Sequence, residues 1–342
     1  MNLLILTQKV DKNDDLLGFF HGWLLKFARQ YGHVIVICLQ KGEYNLPHNV
    51  EVLSLGKEEG LSQVRYILNF FKYIIQKHSQ YDSVFVHMNE EYILLGGIFW
   101  RIMKKRILFW RNHPKGTIFT NIAVFLSHRV FFTSPYSYTA QWKKKGIRMP
   151  AGIDTEKFKR IKNIERNRSS VLSLGRISPV KNTEIIINAF SFLQQRKVFF
   201  KGLVYGEATT RDENYYKKVM DQGALLKEEV TFFPSVRNSE TPQIYNQNEI
   251  FINATTTGSF DKTILEAMAC ETLVLVSNKS FVDVLPPFFL FEEGSARDLA
   301  DKIQTAFSLS DAEKKHLGKE FRSYVVSNHS IDMVIKEIVK MS

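Results

Sequence analysis

Short, fully apolar runs recur along this chain, and each closes on a polar loop that leads into an amphipathic helix. Strands read at 3–7, 33–39, 50–55, 83–87, 106–110 and 129–133 alternate with helices at about 18–31, 61–77, 91–104 and 135–145. After a polar, charge-rich stretch the rhythm restarts, with strands at 170–174, 200–205, 230–232, 249–253 and 273–276. Runs that are apolar on both faces belong in parallel sheets, and parallel neighbours need a crossover helix between them. The alternation therefore excludes all-helical and all-β solutions and predicts an α/β chain whose sheets are covered on both sides. A length of 342 residues suits two such domains, 1–155 and 170–330, joined by a linker that begins at the turn 150–154.

In this architecture ligands bind where a loop at the carboxyl end of a strand feeds a helix N-terminus. Three loops carry residues suited to that work. In 255–270, Gly258 and Ser259 free the backbone, Asp261 is placed to cap the next helix, and Glu266 is the one charge among Ile264, Leu265, Met268 and Ala269. Such a glutamate is either a satisfied core acid or a carboxylate facing a ligand. Arg176 and Lys181 straddle the bend made by Pro179. Together they suit a diphosphate, Arg176 in bidentate fashion and Lys181 as a point charge, although incidental surface charge has the same appearance. His113, flanked by Pro114 and Gly116, and His87 end strands of the first half and face either a crevice or the core.

Charge is unevenly spread. Residues 1–155 hold 20 Lys/Arg against 11 Asp/Glu, while 156–342 hold 26 against 24, so most of the net +11 lies in the first half. Between 101 and 148 stand eleven basic residues and no acidic one, interleaved with Phe109, Trp110, Phe119, Phe125, Phe131, Phe132 and Trp142. A surface of that kind suits nucleic acid, an anionic membrane surface or a phosphorylated acceptor, or it is a solvated basic face over an aromatic core. On the helix at 61–77, Val64, Ile67, Leu68, Phe71, Ile74 and Ile75 are assigned to the core, and Phe70 and Tyr73 to a basic edge that touches lipid. With no apolar run of about 18 residues and no basic leader ahead of the first strand, the chain is expected to lack a transmembrane helix and a secretory signal. The expected location is the cytoplasm, peripheral to the inner face of the membrane. Two cysteines far apart in apolar surroundings, Cys38 and Cys270, fit a reduced compartment.

Three segments, in this order, resemble a known family. Residues 175–182, GRISPVKN, resemble the G-R-x-x-P-x-K-N loop of retaining GT-B glycosyltransferases of family 4; 258–269 resemble their E-x7-E region, and Gly152-Ile153-Asp154 their G-[IV]-D turn. The resemblance implies two Rossmann-like domains facing a central cleft, closing over the substrates, with the final helix at about 331–342 packed back on the first domain. It implies a nucleotide-sugar donor, UDP- or GDP-linked, and a saccharide or polyprenyl-diphosphate or other lipid-linked acceptor, in cell-surface polysaccharide or glycolipid biosynthesis.

By position, Arg176 and Lys181 would hold the donor diphosphate and Glu266 the ribose hydroxyls. Backbone N–H groups near Gly258, Ser259, Phe260 and Asp261 would face the donor, and Pro234 and Val236 would line the base pocket. His113 would contact the donor sugar, and Gly18 would let the substrates approach. The resemblance implies no cofactor and no metal, and the chain has no Asp-x-Asp and no zinc-like spacing. One departure stands out. Gly258 occupies the place of the first glutamate, which contacts the transferred sugar, so Asp261 or Lys262 is a candidate to replace it. The departure also keeps a GT-B epimerase or a non-catalytic nucleotide-sugar binder as alternatives, with a nucleic-acid-binding α/β protein further behind.

Overall fold

The computed structural model describes residues 1–256 and 260–342. The chain forms two compact units, one made of Met1–Gly152 and Ile331–Ser342, the other of Ile153–Ser330. The first runs β1 (Asn2–Val10), α1 (Gly18–Ala28), β2 (His33–Lys41), β3 (Val50–Ser54), α2 (Gln63–Gln76), β4 (Ser83–His87), α3 (Glu91–Ile102), β5 (Arg106–Trp110), α4 (Ile118–Leu126), β6 (Arg129–Phe132) and β7 (Gly146–Arg148). The second runs β8 (Asn167–Leu174), α5 (Thr183–Gln195), β9 (Lys201–Tyr205), α6 (Glu213–Ala224), β10 (Val230–Phe233), α7 (Thr241–Gln247), β11 (Asn248–Asn253), α8 (Lys262–Ala269), β12 (Leu273–Val276), α9 (Ala296–Ser308) and α10 (Asp311–His329). The last helix, α11 (Ile331–Met341), belongs to the first unit.

Among the described residues the first unit has one seven-stranded sheet in the order β3-β2-β1-β4-β5-β6-β7 and the second a five-stranded sheet in the order β10-β9-β8-β11-β12. Every strand pairing in both is parallel, so each unit is a Rossmann-like α/β layer structure. Strand order reverses between β1 and β4 in the first sheet and between β8 and β11 in the second. Crossover helices leave to opposite faces at those points, which opens a crevice beyond the strand ends.

Alternation of buried residues gives the first sheet two cores. Leu3, Ile5, Val34 and Val36 pack with Trp23 and Phe27 of α1 and with Val334 and Ile338 of α11. Leu4, Leu6, Val84 and Val86 on the other face pack with Phe70, Ile93, Trp100 and Val124 under α2, α3 and α4. Cys38 and Cys270 are free and buried, and burial pushes both thiols up to about 12.

Three sequence expectations give way here. Residues 135–145 hold no α-helix; a short 3-10 turn at Tyr138–Gln141 precedes β7. Tertiary bonds hold that segment instead, with Tyr138 donating to Asn121 Oδ1 (2.9 Å) and Thr139 to the Arg111 carbonyl (3.0 Å). The expected linker is packed into the second unit, where Phe158 is buried and Asn246 Oδ1 accepts from the Ile161 amide at 2.8 Å. On α2 the expected faces give way in part: Ile74 is buried as expected, but Phe70 is buried too, whereas Val64, Ile67, Leu68 and Ile75 are exposed.

Candidate functional site

Beyond the carboxyl ends of β8 and β11, where the second sheet reverses, lies a pocket lined by Gly175, Arg176, Lys181, Ile186, Asn253 and Thr255 among others. Its first wall is the loop after β8. Gly175 (φ 143°) turns the chain out of the strand, with its amide donating to the Tyr205 carbonyl at 3.0 Å. Ile177 is buried and its amide donates to the Glu207 carbonyl, also at 3.0 Å. A 3-10 turn at Pro179–Lys181 and left-handed Asn182 (φ 49°) then start α5. These anchors leave Arg176 exposed, with no ion pair among the described residues. The loop after β11 forms the other wall and is tied to the first by the Thr256 amide donating to the Val180 carbonyl, 3.2 Å.

Asp261 joins the walls. Its Oδ2 accepts from Lys181 Nζ, from Asn253 Nδ2 (2.9 Å) and from Thr255 Oγ1 (3.0 Å). Its Oδ1 accepts from the Thr263 amide (3.2 Å) and Thr263 Oγ1 (2.9 Å), so it also caps α8. A carboxylate offers about four lone-pair sites, and these five donors fill them. Burial alone would push Asp261 up, but the Lys181 ammonium and the hydrogen bonds prevail and hold it well below the usual carboxylate range. Among the described residues Asp261 is thus committed to Lys181, Asn253, Thr255 and the cap of α8.

Five residues further along α8, about 7.5 Å of rise, Glu266 is buried. Tyr245 donates to its Oε2 at 3.3 Å, and among the described residues its Oε1 accepts no hydrogen bond. Burial pushes Glu266 up to about 7, against the opposing pull of Lys262 and Lys157. Burial in turn drives Lys262 down to about 7, against the pull of Glu266. Lys157, whose ammonium donates to Asn238 Oδ1 and lies 5.2 Å over the Phe158 ring, is likewise lowered by burial. Arg176 and Lys181 thus line the pocket, and α8, which follows its second wall, carries the buried carboxyl of Glu266.

Residues 154–323, nearly all of the second unit, match the family profile described as glycosyl transferases group 1. The second unit is a group 1 glycosyl transferase domain. Two curated relatives are similar to it: spore coat protein SA of Bacillus subtilis, 23% identical over 216 residues (60% of this chain, 55% of that protein), and alpha-monoglucosyldiacylglycerol synthase of Streptococcus pneumoniae, 29% identical over 161 residues (43% and 35%). The chain spans about half of the first relative's length and about a third of the second's. Among solved structures, Anabaena HepE in complex with UDP and glucose superposes with a TM-score of 0.78 at 18% identity, covering 99% of this chain and 98% of that one. The shared fold is the GT-B arrangement of two parallel-sheet Rossmann-like domains.

Within the transferase domain, Arg176, Lys181 and Asp261 come together at the pocket, and α8 carries Glu266. Phe260 does not line the pocket; its ring is buried between Phe281 (4.3 Å) and His329 (5.1 Å). Pro234 is exposed and Val236 half-buried in the loop after β10, beside the Gly206 amide that donates to the Phe233 carbonyl at 3.0 Å. Gly258 and Ser259 lie outside the described residues.

His113 and Gly18 belong to the other unit. His113 is exposed, and its Nδ1 lies 2.9 Å from the Lys115 carbonyl and 3.1 Å from the Lys115 amide, so the loop itself orients the ring. Gly18 opens α1, its amide donating to the Asp14 carbonyl at 3.0 Å. His87 is a buried core ring, stacked on Phe20 at 4.2 Å. Sequence reasoning missed Asn253, Thr255, Tyr245 and Lys157. An Asn-x-Thr closing an apolar strand is a signal for the first two, whereas Lys157 has none, since it lies in a stretch that reads as linker.

Proposed function

We propose that the chain transfers a sugar, with retention of anomeric configuration, from a nucleotide-sugar donor to a saccharide or lipid-linked acceptor hydroxyl. The observation that carries this reading is the convergence of Arg176 and Lys181 on one pocket at the sheet's reversal point, with Glu266 on the helix that follows. A nucleoside diphosphate matches that set: phosphates to the cations, ribose hydroxyls to the carboxylate. HepE, with the same fold, was determined with UDP, which makes a uridine diphosphate sugar the first donor to try and a guanosine one the second.

In this reading the anomeric carbon–oxygen bond to the diphosphate breaks as the acceptor oxygen attacks from the same face. The acceptor's proton passes to the departing phosphate oxygen. Negative charge grows on that phosphate, where Arg176 and Lys181 stabilise it. Two cations supply the charge that a divalent ion supplies elsewhere, so transfer is proposed to need no metal. Acceptor-side contacts, His113 and Gly18 among them, are assigned to the first unit on the strength of the family resemblance.

A thermal-shift screen against nucleoside diphosphates and their sugars tests the reading. A ligand at a hundred times its dissociation constant adds about 2.7 kcal/mol of stability, and Glu266→Ala removes that gain while leaving the protein folded. An equal shift in wild type and variant would place the nucleotide elsewhere.

Affinity should also follow pH. A carboxyl raised to about 7 is largely protonated below that value, and accepting two hydroxyl protons requires the carboxylate. Because Lys262 and Glu266 titrate as a pair, the change spreads around neutrality. Nucleotide affinity therefore rises from pH 6 to pH 8, roughly the span of such a coupled titration. Glu266→Gln flattens the rise, as calorimetry at several pH values will show.

A further inference from the structure

Lys157 lies between β7 and β8 in sequence, in the stretch that reads as linker, yet its segment is fastened to the helix that carries Glu266. Asp154 starts a single turn there. Its Oδ1 accepts from the amides of Glu156 and Lys157, each at 3.1 Å, and its carbonyl accepts from the Phe158 amide at 2.8 Å. Arg322 of α10 donates to the Thr155 carbonyl (3.2 Å), the Phe158 carbonyl (2.9 Å) and the Ala269 carbonyl (2.7 Å), so one guanidinium joins this turn to the end of α8. Phe158 is buried with its ring 6.3 Å from that of Tyr245, whose hydroxyl donates to Glu266. The Lys157 ammonium lies over the Phe158 ring and donates to Asn238 Oδ1, in the loop after β10.

A carboxylate as buried as Glu266 keeps its charge only beside cations or hydrogen-bond donors. Tyr245 of α7 supplies one hydrogen bond, and Asp261 at the head of α8 opposes the charge. Cys270 at the helix end is a neutral thiol, pushed up to about 12 by burial and by Glu266 itself. Arg322 turns its guanidinium to backbone carbonyls. Lys262, one turn earlier on α8, favours the carboxylate but is driven down by burial to about 7, so at neutrality it is only partly an ammonium. Lys157 is half-buried; burial lowers it, and Glu266 and Asp154 both favour its charged form.

We propose that Lys157 is a positioning residue for nucleotide binding: it holds the Glu266 side chain as a carboxylate able to accept ribose hydroxyls, and ties it to the loop after β10. The assignment rests on the ribose role given to Glu266 above. It makes the segment before β8 a working part of the binding site.

Calorimetric titration of the full chain with uridine diphosphate, and with guanosine diphosphate, between about pH 6 and pH 9 tests it. Removing a cation raises the pH at which Glu266 gives up its proton. Lys157→Met and Lys157→Gln, the second keeping an amide for Asn238, therefore lose affinity about threefold or more at neutrality, and the midpoint of the rise with pH moves up by about half a unit or more. Both variants regain most of the affinity at the alkaline end. Lys157→Arg keeps the wild-type midpoint, and Lys157→Met added to Glu266→Gln produces no pH-dependent loss. A neutral variant that follows the wild-type curve overturns the proposal. So does a loss of equal size at every pH, which a mere tie to Asn238 would give. If neither diphosphate binds wild type, or if Glu266→Gln binds as tightly as wild type at every pH, the ribose role of Glu266 falls and the proposal falls with it.

Discussion

Lys181→Met lowers sugar transfer by about 10²–10³-fold, the usual loss when one preorganised stabiliser of a departing charge is removed, and destabilises the second unit by about 2 kcal/mol. The second effect comes from Asp261. Its carboxylate is only 10% exposed and Lys181 25%, so taking away the ammonium leaves a nearly buried charge held by neutral donors alone. A fully buried pair broken in this way loses about 3–5 kcal/mol; partial exposure of the lysine moderates the figure.

The pH dependence gives the loss a signature. In wild type Asp261 is depressed, so its pairing stabilises the fold above the ordinary aspartate range and is lost as pH falls toward the folded value. The deficit of Lys181→Met is thus largest near neutrality and shrinks in acid, where the stranded carboxyl takes up a proton. Adding Asp261→Asn, which keeps a cap for α8, restores most of the stability and none of the transfer. Urea unfolding and a donor-consumption assay on the two variants separate the roles. Full activity in the double variant would remove Lys181 from the reaction.

Gly206→Ala is the most damaging single-methyl change expected in the second unit. Gly206 follows β9 with φ 146°, and a Cβ there would stand 1.9 Å from the Gly175 carbonyl oxygen. The two glycines are the points at which neighbouring strands turn outward, and the backbones approach too closely for a side chain. Left-handed strain and overpacking each cost about 1–3 kcal/mol, so a loss of roughly 3 kcal/mol or more is expected, some 6–12 °C for a unit of this size. Displacing Gly175 also shifts Arg176, and nucleotide affinity falls with stability. Gly294 serves as the control: its φ is 85° but nothing lies within 4 Å of an added Cβ, so Gly294→Ala carries the strain without the clash. Equal unfolding temperatures for the two variants would refute the close-approach argument.

What could be read without coordinates follows from how local each signal is. The α/β alternation, the doubled sheet and the glycine- and proline-bent loop holding Arg176 and Lys181 rest on neighbours within a few residues. The Lys181–Asp261 pair joins positions 80 apart, and no periodicity announces it. Asp261 accordingly reads as a cap and a possible substrate contact, whereas its greater task is to hold a lysine. Residues 135–145 have a helix's composition, yet bonds from Tyr138 and Thr139 to distant partners override that tendency.

On α2, both sides of the helix are apolar enough to be core, so periodicity alone did not distinguish inside from outside. The structure buries Phe70 and Ile74 and leaves Leu68 in solvent.

The central claim is that Arg176, Lys181 and Glu266 serve one nucleoside diphosphate in the second unit. A crystal structure of the chain with bound uridine or guanosine diphosphate tests it most directly. The account predicts phosphate oxygens within hydrogen-bonding distance of the Arg176 guanidinium and Lys181 Nζ, and ribose hydroxyls donating to Glu266. A diphosphate seated away from these three side chains, with Glu266 still bonded only to Tyr245, would contradict it.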